Sequence, residues 1–482
     1  MALSKNTWFA LGSFLLFIIL LVTQPFNLEP NAQKALACAI LMILLWVSEA
    51  LPMPVVALLP LVLFPMLGLA DTAEVATPYA NPVIFLFMGG FMIGLAIEKW
   101  ELHRRIALTV VKRTGTSGSR IILGFILATG FLSMWLSNTA TTMMMYPIAM
   151  SVVQVMEKNN TESVAMRNMG ICLLLSIAYA SNFGGIATLI GTPPNVVYSA
   201  YLKKQYNYNF QFADWMMIGT PIAFLLMGSL YLMLTKVLYR RQPKNDHTAR
   251  QTIHNELQQL GPITTPEKRV LMVFGLTAFL WIFKDLINPW AGTRFDDNLI
   301  AVMGAILLFA IPSGDTKGMG KQLLDWTDTK NMAWGMLLLF GGGISMANQL
   351  EKAGLITSLG KWMAGSAGSN LLVLIFVITI VSIFISELLS NVGQVIVFAP
   401  VMTGMADAMQ LDPLLLATPM VLAASCAGML PMGTPPNAIV FASGRLRLSD
   451  MLKTGFVMNL MAVLFITIFC YYVLPVVVAH IR

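Results

Sequence analysis

Charged residues are scarce in this sequence. They make up 11% of its 482 residues, against roughly 25% in an ordinary soluble domain, while 57% of the residues are hydrophobic. A water-soluble fold of this size cannot hide so much apolar surface, because its exterior must still be covered with polar groups. The composition therefore excludes a soluble protein and predicts an integral membrane protein.

Cysteine and histidine are also rare, with four residues of each. The cysteines are dispersed through apolar runs, without the close pairs of a disulfide framework, and we interpret them as small packing residues. The histidines lack metal-ligand spacing, and no histidine or cysteine accompanies the 34 methionines to make a soft-metal site. Because neither a clustered metal site nor a nucleophile with its base is visible, we do not expect an enzyme.

Long apolar runs are what the sequence has in abundance. A hydrocarbon core about 30 Å thick needs roughly 20 helical residues per crossing, so the chain has room for on the order of eleven spans. Strands of an outer-membrane barrel would alternate polar and apolar residues, and these runs do not. We therefore predict an all-α, polytopic membrane protein. Such runs include Trp8 to Val22, Leu36 to Val47, Ile121 to Leu136, Ile171 to Ala180, Ile222 to Leu234, Leu271 to Phe283, Leu371 to Ile385 and Phe456 to Val478.

The net charge is +7, and the basic residues are concentrated in a few stretches, which indicates how the chain is oriented in the membrane. We therefore expect no nucleic-acid partner. Excess positive charge marks the cytoplasmic side of a membrane protein. We therefore predict a multi-pass membrane protein with its amino terminus inside and its carboxyl terminus outside. The stretches assigned to the cytoplasm are Lys99 to Arg120, Arg240 to Arg269, Lys317 to Lys330 and Arg445 to Lys453.

The two halves of the chain carry the same parts in the same order. Phe87 to Lys99 matches Phe340 to Lys352, 253 positions later, and Ser137-Asn138 recurs as Ser390-Asn391 at the same offset. Gly-Thr-Pro-Pro-Asn occurs twice, 242 positions apart. A repeat built from membrane helices is typical of secondary transporters, in which the second copy is often inverted.

The most polar stretch of the chain lies between these copies. We predict a first half at residues 1–238, a cytoplasmic linker at 239–267 and a second half at 268–482. An odd number of crossings in each half would insert the second upside down, so we expect two inverted repeats.

Each half has a polar interruption between two apolar arms. The arms around Ser137-Asn138-Thr139 are roughly sixteen and thirteen residues long, which is short for full crossings. We predict re-entrant helical hairpins at about 119–156 and 369–408. Irregular backbone at membrane depth is tolerated only where protein or a water-filled cavity satisfies it, so two such tips indicate an internal polar site. The alternative, polar residues that merely join helices, is weaker for two matched copies.

The two Gly-Thr-Pro-Pro-Asn segments, around 191–195 and 433–437, must break their helices, because proline lacks the amide hydrogen and clashes with the preceding turn. Each break exposes carbonyl oxygens, which suit a small hard cation, and starts a new helix amino terminus, which suits an anion. A simple kink is the alternative. The motifs contain no lysine or arginine, so an acidic substrate would be held by hydrogen bonds, helix dipoles and cations bound beside it.

Seven short motifs, two of which contain the Pro-Pro-Asn segments, indicate a known family. They are Trp46-Val-Ser-Glu-Ala-Leu51, Phe85-Leu-Phe-Met-Gly-Gly90, Trp135-Leu-Ser-Asn-Thr-Ala140, Gly184-Gly-Ile-Ala-Thr188, Gly191-Thr-Pro-Pro-Asn195, Leu338-Leu-Phe-Gly-Gly-Gly343 and Thr434-Pro-Pro-Asn-Ala-Ile-Val-Phe-Ala-Ser-Gly444. With them the chain resembles, over nearly its whole length, the divalent anion/sodium symporters. This family includes bacterial relatives of the animal sodium-coupled dicarboxylate, citrate and sulfate carriers.

The resemblance implies a homodimer that works by an elevator motion. A scaffold part would carry the dimer contact, while the hairpins and broken helices would form a transport part that slides through the bilayer. Arm helices matching Lys99 to Arg113 and Glu351 to Ala364 would join them. The implied activity is import of dicarboxylates or tricarboxylates such as succinate, malate, fumarate or citrate, with Na⁺ as the co-transported ion.

The resemblance also implies site residues, position by position. The first sodium site would use Ser133, Ser137, Asn138 and Gly191, and the second Ser386, Leu389 (through its carbonyl), Asn391 and Gly433. The substrate would lie near Ser137, Asn138, Thr139, Ser390, Asn391, Val392, Thr434 and Pro435.

Val392 departs from the family pattern, because many members have threonine there and one hydroxyl is therefore missing. The choice among dicarboxylates and citrate is left open by this change. Glu387, beside the second tip, and Glu49 are intramembrane carboxylates and hence candidates for a proton relay. For Glu387 the alternative is hydrogen bonding that braces the hairpin. A sodium-independent exchanger of the same fold and, more distantly, an anion channel are the alternative functions.

Overall fold

The structure, a computed structural model, describes residues 5–26, 28–115, 117–159, 164–208, 210–241, 247–315, 320–366 and 370–481. Within these residues it is built from helices, and the one β-bridge pairs Pro312 with Gln322. The all-α prediction is confirmed.

The described residues form twelve α-helices before the polar stretch in the middle of the chain and eleven from that stretch onward. The first twelve are α1 (Lys5–Thr23), α2 (Pro30–Ser48), α3 (Met53–Val56), α4 (Leu59–Met66), α5 (Thr72–Ala76), α6 (Pro82–Lys99), α7 (Leu102–Thr114), α8 (Gly118–Ser133), α9 (Asn138–Asn159), α10 (Val164–Ile186), α11 (Pro193–Tyr206) and α12 (Phe212–Leu232).

Eleven α-helices follow. They are α13 (His247–Gln259), α14 (Thr265–Ala291), α15 (Asp297–Ala310), α16 (Trp334–Lys352), α17 (Leu355–Ser366), α18 (Leu371–Ser386), α19 (Asn391–Ala408), α20 (Pro413–Ala424), α21 (Pro435–Phe441), α22 (Leu448–Tyr472) and α23 (Leu474–Ile481).

Seven helical stretches of the described chain are long and apolar enough to cross a membrane, and five shorter apolar stretches accompany them. The shorter ones include α8, α18 and α20, which belong to the hairpins or end at a break. Fewer described stretches are thus long enough for a full crossing than the roughly eleven spans for which the sequence has room, because several apolar helices are short. The seven are Asn6–Thr23, Pro30–Ser48, Thr72–Lys99, Val164–Ile186, Phe212–Leu238, Thr265–Ala291 and Leu448–Tyr472.

Both predicted hairpins are helix–loop–helix units, and three of their four helix boundaries recur 253 residues apart. The first arms, α8 and α18, are 16 residues each, or about 24 Å, shorter than a hydrocarbon core of about 30 Å. The second arms, α9 and α19, are 22 and 18 residues long. They are longer than predicted, because the polar residues that follow each tip are helical as well. Residue 369, where the second hairpin was predicted to begin, lies outside the described residues.

The stretch predicted as a linker contains the helix α13. Its Ile253 is buried, and the helix packs against α7 and α9. Its polar composition hides this amphipathic pattern, which is why the sequence predicts only a connection. Residues 242–246 of the predicted linker lie outside the described residues.

Ion pairs join the stretches that the charge pattern places on the cytoplasmic side. Lys99 Nζ lies 3.1 Å from Asp325 Oδ2 and 2.7 Å from Asp328 Oδ2, and Arg104 pairs with Glu256 on α13. These contacts gather segments far apart in the sequence at one end of the molecule, as a common membrane face requires.

Three aromatic rings, from Trp135, Phe212 and Trp281, form a stack that we call the aromatic seam. The ring centroids of Phe212 and Trp281 are 4.6 Å apart, and Trp135 lies 6.0 Å from Phe212 and 6.4 Å from Trp281. The interplanar angles are 12°, 17° and 7°. The seam joins the first hairpin to α12 and α14.

Arg105 on α7 fixes the start of α14. Its Nε donates to Glu267 Oε1 at 2.6 Å, and Nη1 donates to the Gly261 carbonyl at 2.9 Å. Glu267 is only 3% exposed. Replacing Arg105 would leave this buried carboxylate without its cation.

We expect Arg105→Ala to lower the melting temperature of the purified protein, by an amount equivalent to about 1–3 kcal/mol. Thermal unfolding in detergent measures it, with Arg113→Ala as control, because Arg113 is exposed on the same helix. Equal melting temperatures for the two variants would show that the contacts of Arg105 with Glu267 and Gly261 add nothing to stability.

Candidate functional site

The first tip ends one helix and starts the next. α8 ends at Ser133, and α9 begins at Asn138. Ser137 caps α9, since its Oγ accepts a hydrogen bond from the backbone N–H of Ala140 at 3.2 Å, the role for which serine is favoured at this position. Ser137, Asn138 and Thr139 are half-buried.

Four oxygen atoms converge beside this tip, and we call them the first oxygen cluster. The amide oxygen of Asn138 lies 2.8 Å from Ser133 Oγ, 3.0 Å from the Ser181 carbonyl and 3.3 Å from the Gly191 carbonyl. With its amide turned by 180°, Asn138 would place its NH₂ group here and donate to these oxygens without an ion. With the amide oxygen facing them, a positive group is needed among them. A small hard cation supplies that charge, and carbonyls of unwound helices bind such ions in secondary transporters.

Gly185 leaves the space in which the Asn138 amide lies. A Cβ at Gly185 would overlap the amide oxygen of Asn138, and one at Gly191 would lie 2.6 Å from the Gly185 carbonyl. Both positions therefore require glycine for a steric reason, and neither has an unusual backbone conformation. The cluster depends on this close approach of α10 to the tip.

The break between α10 and α11, residues 187–192, is bound by side-chain donors at its start. Asn195 Nδ2 donates to the Thr188 carbonyl at 2.9 Å, and Thr220 Oγ1 donates to the Ala187 carbonyl at 3.1 Å. Trp215 Nε1 donates at 2.9 Å to the carbonyl of Ile186, the last residue of α10. These contacts support the unwound backbone, while the Gly191 carbonyl faces the cluster.

The second tip repeats part of this arrangement. Ser386 Oγ lies 2.8 Å from Asn391 Oδ1 and donates to the Ala424 carbonyl at 2.5 Å. The neighbouring residues Leu389 and Ser390 are half-buried, and Val392 is 5% exposed. A serine hydroxyl and a tip asparagine therefore meet in both halves.

Glu387 distinguishes the second half from the first. Its carboxylate accepts hydrogen bonds from the backbone N–H groups of Gly428, Met429 and Leu430 at 2.8, 2.8 and 2.9 Å, and from Asn459 Nδ2 at 2.8 Å. Residues 428–430 lie in the second break, residues 425–434 between α20 and α21. All four of these groups donate hydrogen bonds to the carboxylate. The geometry therefore favours the interpretation that Glu387 braces the hairpin by hydrogen bonding over the interpretation that it relays protons. Glu49, the other candidate, is exposed at the end of α2.

The second break also places Gly433 next to this charge. A Cβ on Gly433 would lie 2.9 Å from Glu387 Oε2. Thr434 is buried and caps α21, while Pro435, the next residue, is exposed. The negative charge of Glu387 therefore lies beside the residue expected to contribute to the second sodium site.

Asn182 connects the two halves. It lies on α10 and is 2% exposed. Its Oδ1 is 3.5 Å from Asn138 Nδ2, and its Nδ2 donates to Thr434 Oγ1 at 3.1 Å. Helix packing follows the same crossed pattern, since α21 lies against α9 and α11 lies against α19.

The tips themselves line separate cavities. Ser137 borders one of about 90 Å³ with Gly94, Glu98 and Asn331, and Ser390 borders one of about 80 Å³ with Trp46. Both are smaller than the roughly 300–1,000 Å³ of small-molecule pockets. Asn182, rather than a shared cavity, provides the described link between the first tip and Thr434.

The asparagines that end the two Pro-Pro-Asn motifs play matching roles. Asn437 Nδ2 donates to the carbonyls of Ala427 and Leu430 at 3.3 and 3.2 Å, as Asn195 does in the first break. The amide oxygens of Asn195 and Asn437 are buried, and within the described chain neither has a hydrogen-bond partner. Buried oxygens of this kind are further acceptors for water or a cation.

Several of these residues were not among the predicted site residues. Ser181 and Asn182 follow an apolar run without any local marker, and Asn195 and Asn437 were identified only as parts of motifs. Gly185 stood in a family motif without an assigned role. The polar pair Ser181-Asn182, one residue before Gly184-Gly185 on an otherwise apolar helix, is the signal that could have pointed to α10.

Comparison with known proteins identifies the family. The profile described as "Sodium:sulfate symporter transmembrane region" matches residues 4–478. The chain belongs to this family. The sequence-based resemblance is thereby confirmed over nearly the full length.

Characterised relatives in the family are of similar length. The chain is 37% identical over 470 residues to the sodium-dependent dicarboxylate transporter SdcS of Staphylococcus saprophyticus, which covers 96% of this chain and 90% of the relative. It is also 37% identical over 472 residues to SdcS of Staphylococcus aureus, covering 97% and 91%.

Two solved structures share the fold at low sequence identity. The YdaH transporter of Alcanivorax borkumensis superposes with a TM-score of 0.59 at 13% identity, over 83% of this chain and 87% of that one. MtrF of Neisseria gonorrhoeae gives a TM-score of 0.52 at 12% identity, over 84% and 83%.

We expect Gly185→Ala to abolish stabilisation of the protein by sodium, because the new methyl group would occupy the space of the Asn138 amide. Alanine in a helix is otherwise favoured over glycine by roughly 0.5–1 kcal/mol, so any loss comes from the site. The measurement is the melting temperature in NaCl relative to KCl. Gly170→Ala on the same helix is the control, since its Cβ would meet Val153 Cγ1 at 3.7 Å; equal sodium responses would contradict the expectation.

Glu387→Gln should destabilise the protein by about 2 kcal/mol or more, because the amide NH₂ would face backbone N–H donors. A raised sodium concentration for half-maximal stabilisation should accompany the lower melting temperature. Glu49→Gln, at an exposed position, controls for loss of a charge. Equal melting temperatures for Glu387→Gln and Glu49→Gln would show that the carboxylate of Glu387 is not needed to stabilise the second break.

Proposed function

We propose that the protein is a secondary active transporter that imports dicarboxylates such as succinate, malate and fumarate by sodium symport. The main support is the paired construction of the site, in which a hairpin serine and a tip asparagine meet beside a helix break in each half. Citrate remains a further candidate substrate. The names of the SdcS relatives point to the same chemistry.

The charge of the substrate explains the need for co-transported ions. The tips and breaks offer hydroxyls, amides and carbonyls but no lysine or arginine, so a dianion would meet no fixed positive side chain there. Sodium ions at the first oxygen cluster and beside Gly433 would offset its charge. Helix amino termini at α11 and α21 add further positive potential.

The proposed first sodium site uses Ser133, Ser137, Asn138 and Gly191, to which the contacts add the Ser181 carbonyl. The proposed second site uses Ser386, the Leu389 carbonyl, Asn391 and Gly433. The substrate would lie between the tips, near Ser137, Asn138, Thr139, Ser390, Asn391, Val392, Thr434 and Pro435. The two small tip cavities imply that the tips separate to admit it.

The transport cycle that we propose is an elevator motion in a homodimer of the bacterial cytoplasmic membrane. The hairpins and broken helices would move against a scaffold, with α7 and α17 as the connecting arms. The ion pairs of Lys99 and Arg105 support the assignment of their end to the cytoplasm, with the amino terminus inside and the carboxyl terminus outside. We propose transport rather than an enzymatic reaction.

Uptake into proteoliposomes tests the function. Radiolabelled succinate should accumulate under an inward sodium gradient and not when potassium replaces sodium. Asn138→Ala and Asn391→Ala should each reduce this uptake at least about tenfold, because each removes an amide that would serve ion and substrate.

Asn255→Ala is the matched control, since Asn255 is exposed on α13 and should transport like the wild type. Uptake that ignores sodium but requires internal dicarboxylate would replace symport by exchange on the same fold. Wild-type rates in both site variants would remove the site assignment.

A further inference from the structure

Asn182 lies in a chain of three side chains that can each reverse the direction of a hydrogen bond. Asn138, Asn182 and Thr434 lie in line, with 3.5 Å from Asn138 Nδ2 to Asn182 Oδ1 and 3.1 Å from Asn182 Nδ2 to Thr434 Oγ1. A terminal amide has nearly the same shape when turned by 180°, so its direction is set by the partners at each end. The chain runs from the first oxygen cluster to a residue of the proposed substrate site.

In the arrangement present, the oxygen of Asn138 faces the first oxygen cluster. Its nitrogen then faces Asn182, and the nitrogen of Asn182 donates to Thr434. The backbone N–H of Asn437 also points at Thr434 Oγ1, at 3.4 Å. A hydroxyl has two acceptor lone pairs and one proton, so Thr434, with both lone pairs engaged, has its proton left to donate elsewhere.

The reversed arrangement satisfies the hydrogen-bonding groups around Asn138 without an ion. With its amide turned, Asn138 would donate to Ser133 Oγ at 2.8 Å, to the Ser181 carbonyl at 3.0 Å and to the Gly191 carbonyl at 3.3 Å. Its oxygen would then face the oxygen of Asn182, which must turn as well. Thr434 would now donate its proton to Asn182, and that proton would no longer be available to another acceptor.

A cation decides between the two arrangements. A positive ion among the four oxygens of the cluster favours the amide oxygen of Asn138 and excludes its NH₂ group. Without the ion, the turned NH₂ group shares its two protons among the same oxygens. We propose that Asn182 is a positioning residue that relays occupancy of the first cation site to Thr434, whose hydroxyl donates to a substrate carboxylate only when the ion is bound.

This inference rests on the proposed function, since it takes sodium and a dicarboxylate as the two ligands. The relay belongs to one half only, because α20, which leads into the second break, contains neither asparagine nor glutamine along its sequence PLLLATPMVLAA. The coupling is therefore assigned to the first ion site and not to its counterpart.

Two substitutions at Asn182 should change the KM for succinate in different ways. Asn182→Asp puts an acceptor at both ends, so Thr434 would donate to it at every sodium concentration. We expect the KM at saturating sodium to rise about tenfold or more, as for the loss of a hydrogen bond to a charged group. Asn182→Ala removes the acceptor that competes for the Thr434 proton, so the KM should vary several-fold less between low and saturating sodium than in the wild type.

The experiment is succinate uptake by the full chain in proteoliposomes over a series of sodium concentrations. Ser176→Ala is the control, because Ser176 is buried on the same helix and donates only within it, to the Leu173 carbonyl at 2.8 Å. Stabilisation by NaCl without substrate should persist in the Asp variant, since the ion site keeps its oxygens. Thr434→Val tests the other end of the relay and should also flatten the sodium dependence, whereas Thr434→Ser should keep it.

The relay is overturned if the Asp and Ala variants raise the KM alike while its sodium dependence stays as in the wild type, which would mean that Asn182 only packs. It is also overturned if Thr434→Val keeps the full dependence, a result that stands even where the Asn182 variants fail to fold. If wild type and Ser176→Ala show no sodium-dependent succinate uptake, it is the proposed function that fails.

Discussion

Backbone groups that leave a helix inside a membrane must find partners within the protein, and this constraint organises the molecule. Each half contains a tip and a break, where N–H and carbonyl groups lose their helical partners. Lipid offers no hydrogen bonds, so every such group costs free energy unless side chains or neighbouring helices satisfy it. The buried polar residues of the site lie next to the backbone groups that have lost their helical partners.

The halves satisfy this constraint in partly different ways. In the first break, donors from Asn195, Trp215 and Thr220 meet carbonyl oxygens. In the second, Asn437 donates to carbonyl oxygens as Asn195 does, and the carboxylate of Glu387 also accepts from three successive N–H groups. The repeat thus keeps the positions of the interruptions, while a carboxylate is added beside Gly433, a residue of the proposed second ion site.

The sequence allowed the interruptions to be located because their signals are local. Apolar run lengths and polar tips place the hairpin arms within a few residues of their observed bounds. The Pro-Pro pairs mark only the end of each break, because the prolines begin the next helix and the unwound residues, 187–192 and 425–434, precede them. The roles of Ser181, Asn182 and Glu387 depend on partners brought together only by folding, such as residues 428–430 for Glu387. The helix α13 was missed for a different reason, since its stability comes from packing against α7 and α9 and its composition resembles a linker.

The aromatic seam bears on the elevator motion that we propose. Interlocked side chains must disengage before two helices can shift, whereas flat faces in near-parallel orientation can slide along one another while part of their overlap is retained. Trp135, Phe212 and Trp281 have near-parallel ring planes where the first hairpin meets α12 and α14. In the proposed motion, such a contact would lose less of its buried area than an interdigitated one.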